Sequence, residues 1–155
     1  LRASAREALT SLGVEVREST RVTDVGAGVV RAGEETVVAG TIVWAAGVQA
    51  SPIGRQLGAG LDRSGRVQVA ADLSVPAHPE LFVVGDLMAL TGADGAPVPG
   101  VAQAAMQSGR RAAANILARL QGRPTSPFTY RDLGNMATIG RARAVADLGW
   151  VRLTG

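Results

Sequence analysis

The fold of this chain is decided by the stretch Leu81-Phe-Val-Val-Gly-Asp86. Four apolar residues in a row predict a strand buried on both faces, as in a parallel sheet covered by helices. Ligands of open α/β sheets bind beyond the carboxyl ends of such strands, where Gly85 and Asp86 lie. Glycine lets a ligand approach the backbone, and aspartate accepts hydrogen bonds from sugar or polyol hydroxyls. A plain turn cap is the alternative role for Asp86.

A second apolar run, Thr41-Ile-Val-Trp-Ala-Ala-Gly47, also predicts a buried strand. It ends in small residues, which let a planar ligand approach the backbone. These residues are Ala45, Ala46 and Gly47. Tight strand packing followed by a turn at Gly47 is the alternative.

The longest helix is predicted over residues 101–121, where apolar residues keep helical spacing until Gly122 and Pro124 end it. No charged residue occurs in its first two turns, so its free N–H groups are available to an electron-rich group. Gln103 and Gln107 are four residues apart and share a face, where their amides can hold ligand carbonyl oxygens. Two exposed glutamines on an alanine-rich helix are the alternative.

The remaining segments predict an α/β chain with small antiparallel sheets. Residues 1–12 have the spacing of a helix, and residues 22–38 have that of a three-stranded meander. Further strands are expected at 14–16, 67–69, 128–131, 137–139 and 142–147. His78, beside a proline, is interpreted as a loop residue and not as a base.

Composition excludes several classes of function. The 155 residues are 46% hydrophobic and 19% charged, which predicts a compact globular chain. Cysteine is absent and histidine occurs once, so thiol nucleophiles, disulfides and cysteine- or histidine-rich metal sites are excluded, and no metal is expected. No Gly-x-Ser-x-Gly elbow, phosphate loop or bilayer-length apolar run occurs.

Charge is unevenly distributed. All sixteen basic residues are arginine, and residues 101–155 carry eight of them against two acids, a net of +6. Such a segment suits an anionic lipid surface or an acidic partner, with a solvated arginine face as an equal alternative. Aromatic residues are only 3% and do not alternate with the arginines, so a nucleic-acid partner is not expected.

Taken together, the chain resembles the C-terminal half of a flavoprotein with two dinucleotide-binding domains. The nearest family is that of the type II NADH:quinone oxidoreductases, the non-proton-pumping NADH dehydrogenases. The motif Ala-Gln-x-x-x-Gln and the block Ile139-Gly-Arg141 are the most specific parts of the resemblance. The stretches that carry it are 41–48, 66–75, 81–86, 102–107 and 128–147.

The resemblance implies a role for each candidate residue. Asp86 would bind the ribityl chain of FAD, with Gly85 near the phosphate side. The N–H groups at Ala102 and Gln103 would face the pyrimidine edge of the flavin, where a positive helix end favours negative charge. Quinone would lie against Gln103 and Gln107. On the other flavin face, the nicotinamide of NAD(H) would be bordered by Ala45, Ala46 and Gly47.

The implied fold is a Rossmann-like α/β segment of an FAD/NAD(P) flavoprotein with the start of an α+β C-terminal domain. Residues 1–47 would be the rear of the NAD(P)H domain, 48–123 the second half of the FAD domain, and 124–155 the start of the membrane and quinone side. The implied enzyme passes a hydride from NADH to FAD and then electrons to quinone, as a peripheral protein on the cytoplasmic face of the cell membrane.

The glycine-rich dinucleotide fingerprints of the family do not occur in these 155 residues, so we expect the isolated segment to be inactive. Lack of cysteine argues against the thiol-dependent disulfide and sulfide reductases of the same fold. A soluble reductase that donates to ferredoxin, and a binding module without flavin, remain alternatives. Quinone type, NADH or NADPH preference, and assembly as a monomer or homodimer stay open.

Overall fold

A computed structural model describes residues 2–141 and 143–155 of the chain. Leu1 and Ala142, which begin the predicted helix 1–12 and the predicted strand 142–147, lie outside the described residues. The chain forms two compact units. One comprises residues 48–133, and the other combines the residues up to Gly47 with residues 134–155. The expected domain boundaries after residues 47 and 123 stay a prediction.

The unit of residues 48–133 contains a core of buried apolar side chains. Strand β4 (Val67–Gln68) pairs in parallel with β7 (Met88–Ala89), and β5 (Ser74–Val75) pairs antiparallel with β6 (His78–Phe82). A short 3₁₀ helix, Pro52–Leu57, precedes these strands. The buried core consists of Val67, Leu73, Val75, Val83, Met88, Val98, Ala104 and Ala112.

Helix α2 spans Ala102–Leu120 and covers this core. Its buried positions follow helical spacing, since Ala104, Ser108, Ala112 and Asn115 lie on one face. Gly122, with φ of +68°, lies just after the helix end, where a left-handed residue commonly terminates a helix. The prediction for residues 101–121 is therefore confirmed to within one residue at each end.

The other unit is built from short elements with little buried surface. Strands β1 (Val22–Gly26), β2 (Val29–Ala32) and β3 (Glu35–Val38) form the expected antiparallel meander. Helix α1 (Arg2–Ser11) contacts strands of a second antiparallel sheet. That sheet has the order β10-β9-β8, with strands Asn135–Ile139 (β8), Arg143–Asp147 (β9) and Arg152–Thr154 (β10).

Three strand predictions are wrong. The apolar run 41–47 forms no strand, and Val43 and Trp44 are 82% and 64% exposed. A strand needs a hydrogen-bonding neighbour, and no strand of the described chain pairs with this run. Residues 128–131 are equally unpaired with any strand, because the N–H of Phe128 donates to the Ala71 carbonyl and the N–H of Arg131 donates to the Gln107 side chain. Residues 14–16 form no strand either.

The strand predicted at 81–84 begins earlier. It runs over His78–Phe82, so His78 lies in a strand and not in a loop. This strand pairs antiparallel with β5, and most of its residues lie at the surface. Val83, the first residue after the strand, is buried, with 6% of its surface exposed. The turn Gly85–Leu87 follows two residues after the end of this strand. No helix in the described part of the chain is long and apolar enough to cross a membrane.

Candidate functional site

The turn Gly85–Leu87 is held against helix α2 by its first residue. The Gly85 N–H donates to the Ser108 hydroxyl at 3.1 Å, and that buried hydroxyl donates to the Ala105 carbonyl at 3.1 Å. Gly85 has φ of +64°, a left-handed conformation that other residues adopt at a cost. A Cβ at this position would lie 3.2 Å from the Ala105 Cβ. Residue 85 must therefore be glycine both because of its left-handed backbone and because a side chain would press against Ala105.

Asp86 lies beside the entrance to the same helix. Its carboxylate is exposed, and a Cβ added to Gly100 would lie only 3.7 Å from Asp86 Oδ1. A side chain at residue 100 would thus fill the space next to the carboxylate. The space belongs to a cleft of about 300 Å³. The cleft is lined by Val48, Ala50, Ser64, Arg66, Asp86 and Gly100.

Arg66 is the cleft residue that sequence reasoning missed. Its guanidinium donates to Asp62 Oδ2 at 2.7 Å, and its backbone N–H donates to Asp62 Oδ1 at 2.9 Å. Burial raises the pKa of Asp62, but hydrogen bonds from Arg66 and Ser64 and the charge of Arg66 outweigh burial and leave this pKa below its ordinary value. The parallel pairing of β4 with β7 would have indicated that Arg66 lies near Asp86, because this pairing brings together the residues that precede the two strands.

The start of α2 has backbone donors without a side-chain cap. Val101 occupies the N-cap position in an extended conformation, with no side-chain hydrogen bond, and the first turn contains no acid. Ala102 and Gln103 are exposed. The first N–H groups of an α-helix have no partner within the helix. This end of α2 therefore presents a positive dipole and free donors, as the sequence predicts.

Gln103 and Gln107 differ in their surroundings. The amide of Gln107 donates to the Arg131 carbonyl at 2.9 Å and accepts the Arg131 N–H at 3.1 Å. Gln103 is exposed, and its side chain makes no hydrogen bond to another described residue. The shared helix face expected from their spacing is present, but only one of the two amides is free.

Ala45, Ala46 and Gly47 belong to the other unit, and all three are exposed. Gly47 has φ of +133°, which fits the expected turn at the end of the run. Their placement beside a nicotinamide stays a prediction.

A polar cluster around the buried Asn115 joins α2 to the segment that follows it. Asn115, 2% exposed, donates from Nδ2 to the carbonyls of Asp72 and Ser126 at 2.9 Å each. The Asp72 carboxylate accepts from Ser74 and Thr125. Burial raises the pKa of Asp72, but these hydrogen bonds and the charge of Arg119 lower it below its ordinary value. The partners of this cluster are all internal, so its role is structural.

A family comparison decides the identity of the fold. The profile of the pyridine nucleotide-disulphide oxidoreductase family matches residues 1–109. The chain belongs to this family. A type II NADH:quinone oxidoreductase of Mycobacterium tuberculosis is 45% identical over 99% of this chain and 34% of its own length. The resemblance to that group is thereby confirmed, and the chain spans about a third of the length of the curated relatives it matches.

Solved structures show the same fold. NDH2 of Plasmodium falciparum, solved in complex with NADH, matches 99% of this chain and 47% of its own chain, with a TM-score of 0.80 and 15% identity. A ferredoxin reductase of Rhodopseudomonas palustris matches 93% of this chain and 35% of its own, with a TM-score of 0.70 and 18% identity. The expected fold of an FAD/NAD(P) flavoprotein segment is therefore confirmed.

The residues at the turn suit a flavin nucleotide. Gly85 brings backbone next to α2, Asp86 offers an exposed hydrogen-bond acceptor, and Gly100 leaves the space beside that carboxylate open. A polyol hydroxyl chain can donate to such a carboxylate, and a helix N-terminus favours an electron-rich ring edge.

Proposed function

We propose that the complete gene product is a type II NADH:quinone oxidoreductase that uses FAD. The observation that carries this proposal is the juxtaposition of the Gly85-Asp86 turn with the uncapped start of α2. The relatives that cover nearly the whole chain carry the name of this activity, which supports the choice of acceptor.

FAD, when bound, would accept a hydride from NADH and pass electrons on to quinone. The contribution of the chain is placement and electrostatics. Asp86 would accept hydrogen bonds from the ribityl chain, and Gly85 would let the phosphate side come near the backbone. Ala102 and Gln103 would direct helix N–H groups to the pyrimidine edge, where the dipole favours negative charge.

The two ring faces would be served by different residues. Gln103 and Gln107, on one face of α2, would lie on the quinone side. Small residues at 45–47 would border the nicotinamide of NADH on the other side, where their size leaves room for a planar ring.

The test is electron acceptor choice in the complete gene product. NADH oxidation is measured with a menaquinone analogue and with ferredoxin, and flavin is released by denaturation and quantified. Fast menaquinone reduction with about one flavin per chain supports the proposal. Activity with ferredoxin alone contradicts the quinone site but leaves the flavin site standing. A colourless protein that releases no flavin contradicts both.

We further propose that the protein attaches to the cytoplasmic face of the cell membrane through arginines of residues 101–155. Arg110, Arg123 and Arg131 are exposed, and the ion pairs recorded among the described residues involve none of the three. Each basic residue near an anionic surface adds about 1 kcal/mol of attraction. Co-sedimentation with anionic vesicles and none with neutral vesicles is expected. Equal binding to anionic and to neutral vesicles would contradict the proposal.

Light scattering of the complete gene product would distinguish a monomer from a homodimer.

A further inference from the structure

Arg66 is held by a carboxylate and still has donors for a ligand. Its Nε donates to Asp62 Oδ2 at 2.7 Å, and its Nη1 makes a long contact of 3.5 Å with the Val98 carbonyl. A guanidinium has five N–H donors, of which two lie on Nη2. In the described part of the chain, these two have no acceptor. The side chain is 25% exposed, so a further acceptor can reach it.

Asp62 fixes the direction of this guanidinium. Its Oδ1 accepts the N–H groups of Ser64 and Arg66, at 2.8 and 2.9 Å, which closes the turn that precedes β4. Its Oδ2 is thereby directed to Arg66 Nε. Because one carboxylate holds both the turn and the guanidinium, the arginine is ordered before a ligand arrives. Such an arginine loses little side-chain entropy on binding an anion.

Arg66 and Asp86 line the same cleft of about 300 Å³. Arg66 forms its ion pair with Asp62 and not with Asp86, so the two charges of the cleft do not neutralise each other at contact distance. Among the described residues that line the cleft, no other is charged. The cleft therefore offers an acceptor for hydroxyl groups at Asp86 and a set of donors for an anion at Arg66.

A polyol phosphate carries a group for each of these two residues. Its hydroxyls donate to a carboxylate, and its phosphate oxygens accept from a guanidinium in a strong, charge-assisted contact. In FAD, the ribityl chain is joined at its end to the diphosphate. A flavin whose ribityl hydroxyls bind Asp86 therefore brings a phosphate into the neighbourhood of this carboxylate, where the cleft provides a cation.

We propose that Arg66 binds the phosphate of the flavin nucleotide that adjoins the ribityl chain, and that Asp62 is the positioning residue for Arg66. This inference rests on the proposed function. It gives the phosphate a side-chain cation in addition to the backbone at Gly85. It also separates two contributions, since Asp86 recognises hydroxyl groups and Arg66 recognises the phosphate.

The test measures the Kd of FAD for the complete gene product after its flavin has been removed. Arg66→Met keeps the length of the side chain without its charge, and we expect the Kd to rise on the order of 10- to 100-fold. Arg66→Lys keeps the charge without the fork of donors and should raise the Kd less. Arg63→Met is the matched control, because Arg63 is exposed in the same loop and does not line the cleft. It should leave the Kd unchanged.

Phosphorus-31 NMR of bound FAD distinguishes contact with the phosphate from support of the loop. At saturating FAD, Arg66→Lys should shift the resonance of the phosphate that adjoins the ribityl chain, and Arg63→Met should shift neither resonance. The lysine variant also keeps the test usable if Arg66→Met folds poorly.

Asp62→Asn tests the positioning role. It should raise the Kd of FAD in the wild-type background but not in the Arg66→Met background, because Asp62 acts through Arg66. A further increase in the double variant would contradict this role of Asp62.

Two results would overturn the inference for Arg66. One is an FAD Kd in Arg66→Met that equals that of Arg63→Met. The other is a raised Kd in Arg66→Lys with phosphorus resonances identical to those of the wild type, which would show that Arg66 only supports the loop. A wild-type protein that binds no FAD would instead overturn the proposed function, and the inference with it.

Discussion

The two units of this chain use apolar residues differently. In residues 48–133, strands β4 to β7 and α2 enclose eight buried apolar side chains. In the described residues outside this unit, Ala8 alone is buried, and Val38 and Trp150 are 81% and 86% exposed. Apolar composition is therefore not sufficient for a core. Burial needs elements that cover each other, and residues 48–133 contain both the strands and the helix that covers them.

The largest expected effect comes from the core. Leu73→Ala removes a fully buried side chain and should lower the free energy of unfolding by about 2–5 kcal/mol. Val38→Ala, at an exposed position of the other unit, should cost within about 0.5 kcal/mol. Urea denaturation of both variants measures the difference. Equal losses would show that the two units do not differ as described.

The bonds between Asn115 and the segment 124–133 that follows α2 should come next. Asn115→Ala removes three hydrogen bonds that the buried Asn115 amide makes with the Asp72 carbonyl and with the peptide N–H and carbonyl of Ser126, which should cost about 2–3 kcal/mol. Gln121→Ala is the control, since this glutamine is exposed at the helix end. A loss below about 0.5 kcal/mol for Asn115→Ala would contradict the anchoring of residues 124–133 by this amide.

A substitution in the turn Gly85–Leu87 should lower the stability of the protein less than Asn115→Ala does. Gly85→Ala places a Cβ in a left-handed conformation, at a cost of about 1–2 kcal/mol, and against Ala105. Gly95→Ala meets the same backbone conformation with open space around it. The loss in thermal stability should thus be greater for Gly85→Ala. If Gly95→Ala is at least as destabilising, contact with α2 is not what requires glycine at residue 85.

The smallest effect is a pH dependence. The folded-state pKa of Asp72 is lowered, so its charged form stabilises the fold above the unfolded-state pKa of about 3.9. That stability is lost as the pH falls below about 4 through the folded-state value. Asp72→Asn should therefore show a flatter stability profile in this range. An identical acid profile for variant and wild type would contradict the role of this carboxylate.

Short-range patterns predict much of this molecule. Helix α2 follows from its 3.6-residue spacing, and the meander 22–38 follows from its turns. The apolar run 41–47 was mispredicted because periodicity indicates burial but not the presence of a pairing strand.

Contacts between distant residues could not be predicted. The pairing of Gln107 with Arg131 spans 24 residues, and that of Gly85 with Ser108 spans 23. Arg66 enters the cleft through a parallel pairing that no local pattern specifies. Motifs therefore located the Gly85-Asp86 turn and α2, while the pairing of Gln107 with Arg131 needed the structure.

The flavin content of Asp86→Ala in the complete gene product tests the account most directly. Absorbance near the flavin maximum, divided by protein concentration, is compared with the wild type and with Asp94→Ala. Asp94 is exposed in the loop 92–99, where its carboxylate accepts the Ala96 N–H at 3.0 Å. The account predicts about one flavin per chain in the wild type and in Asp94→Ala, and a large loss in Asp86→Ala. Full flavin content in Asp86→Ala, with unchanged affinity, would contradict it.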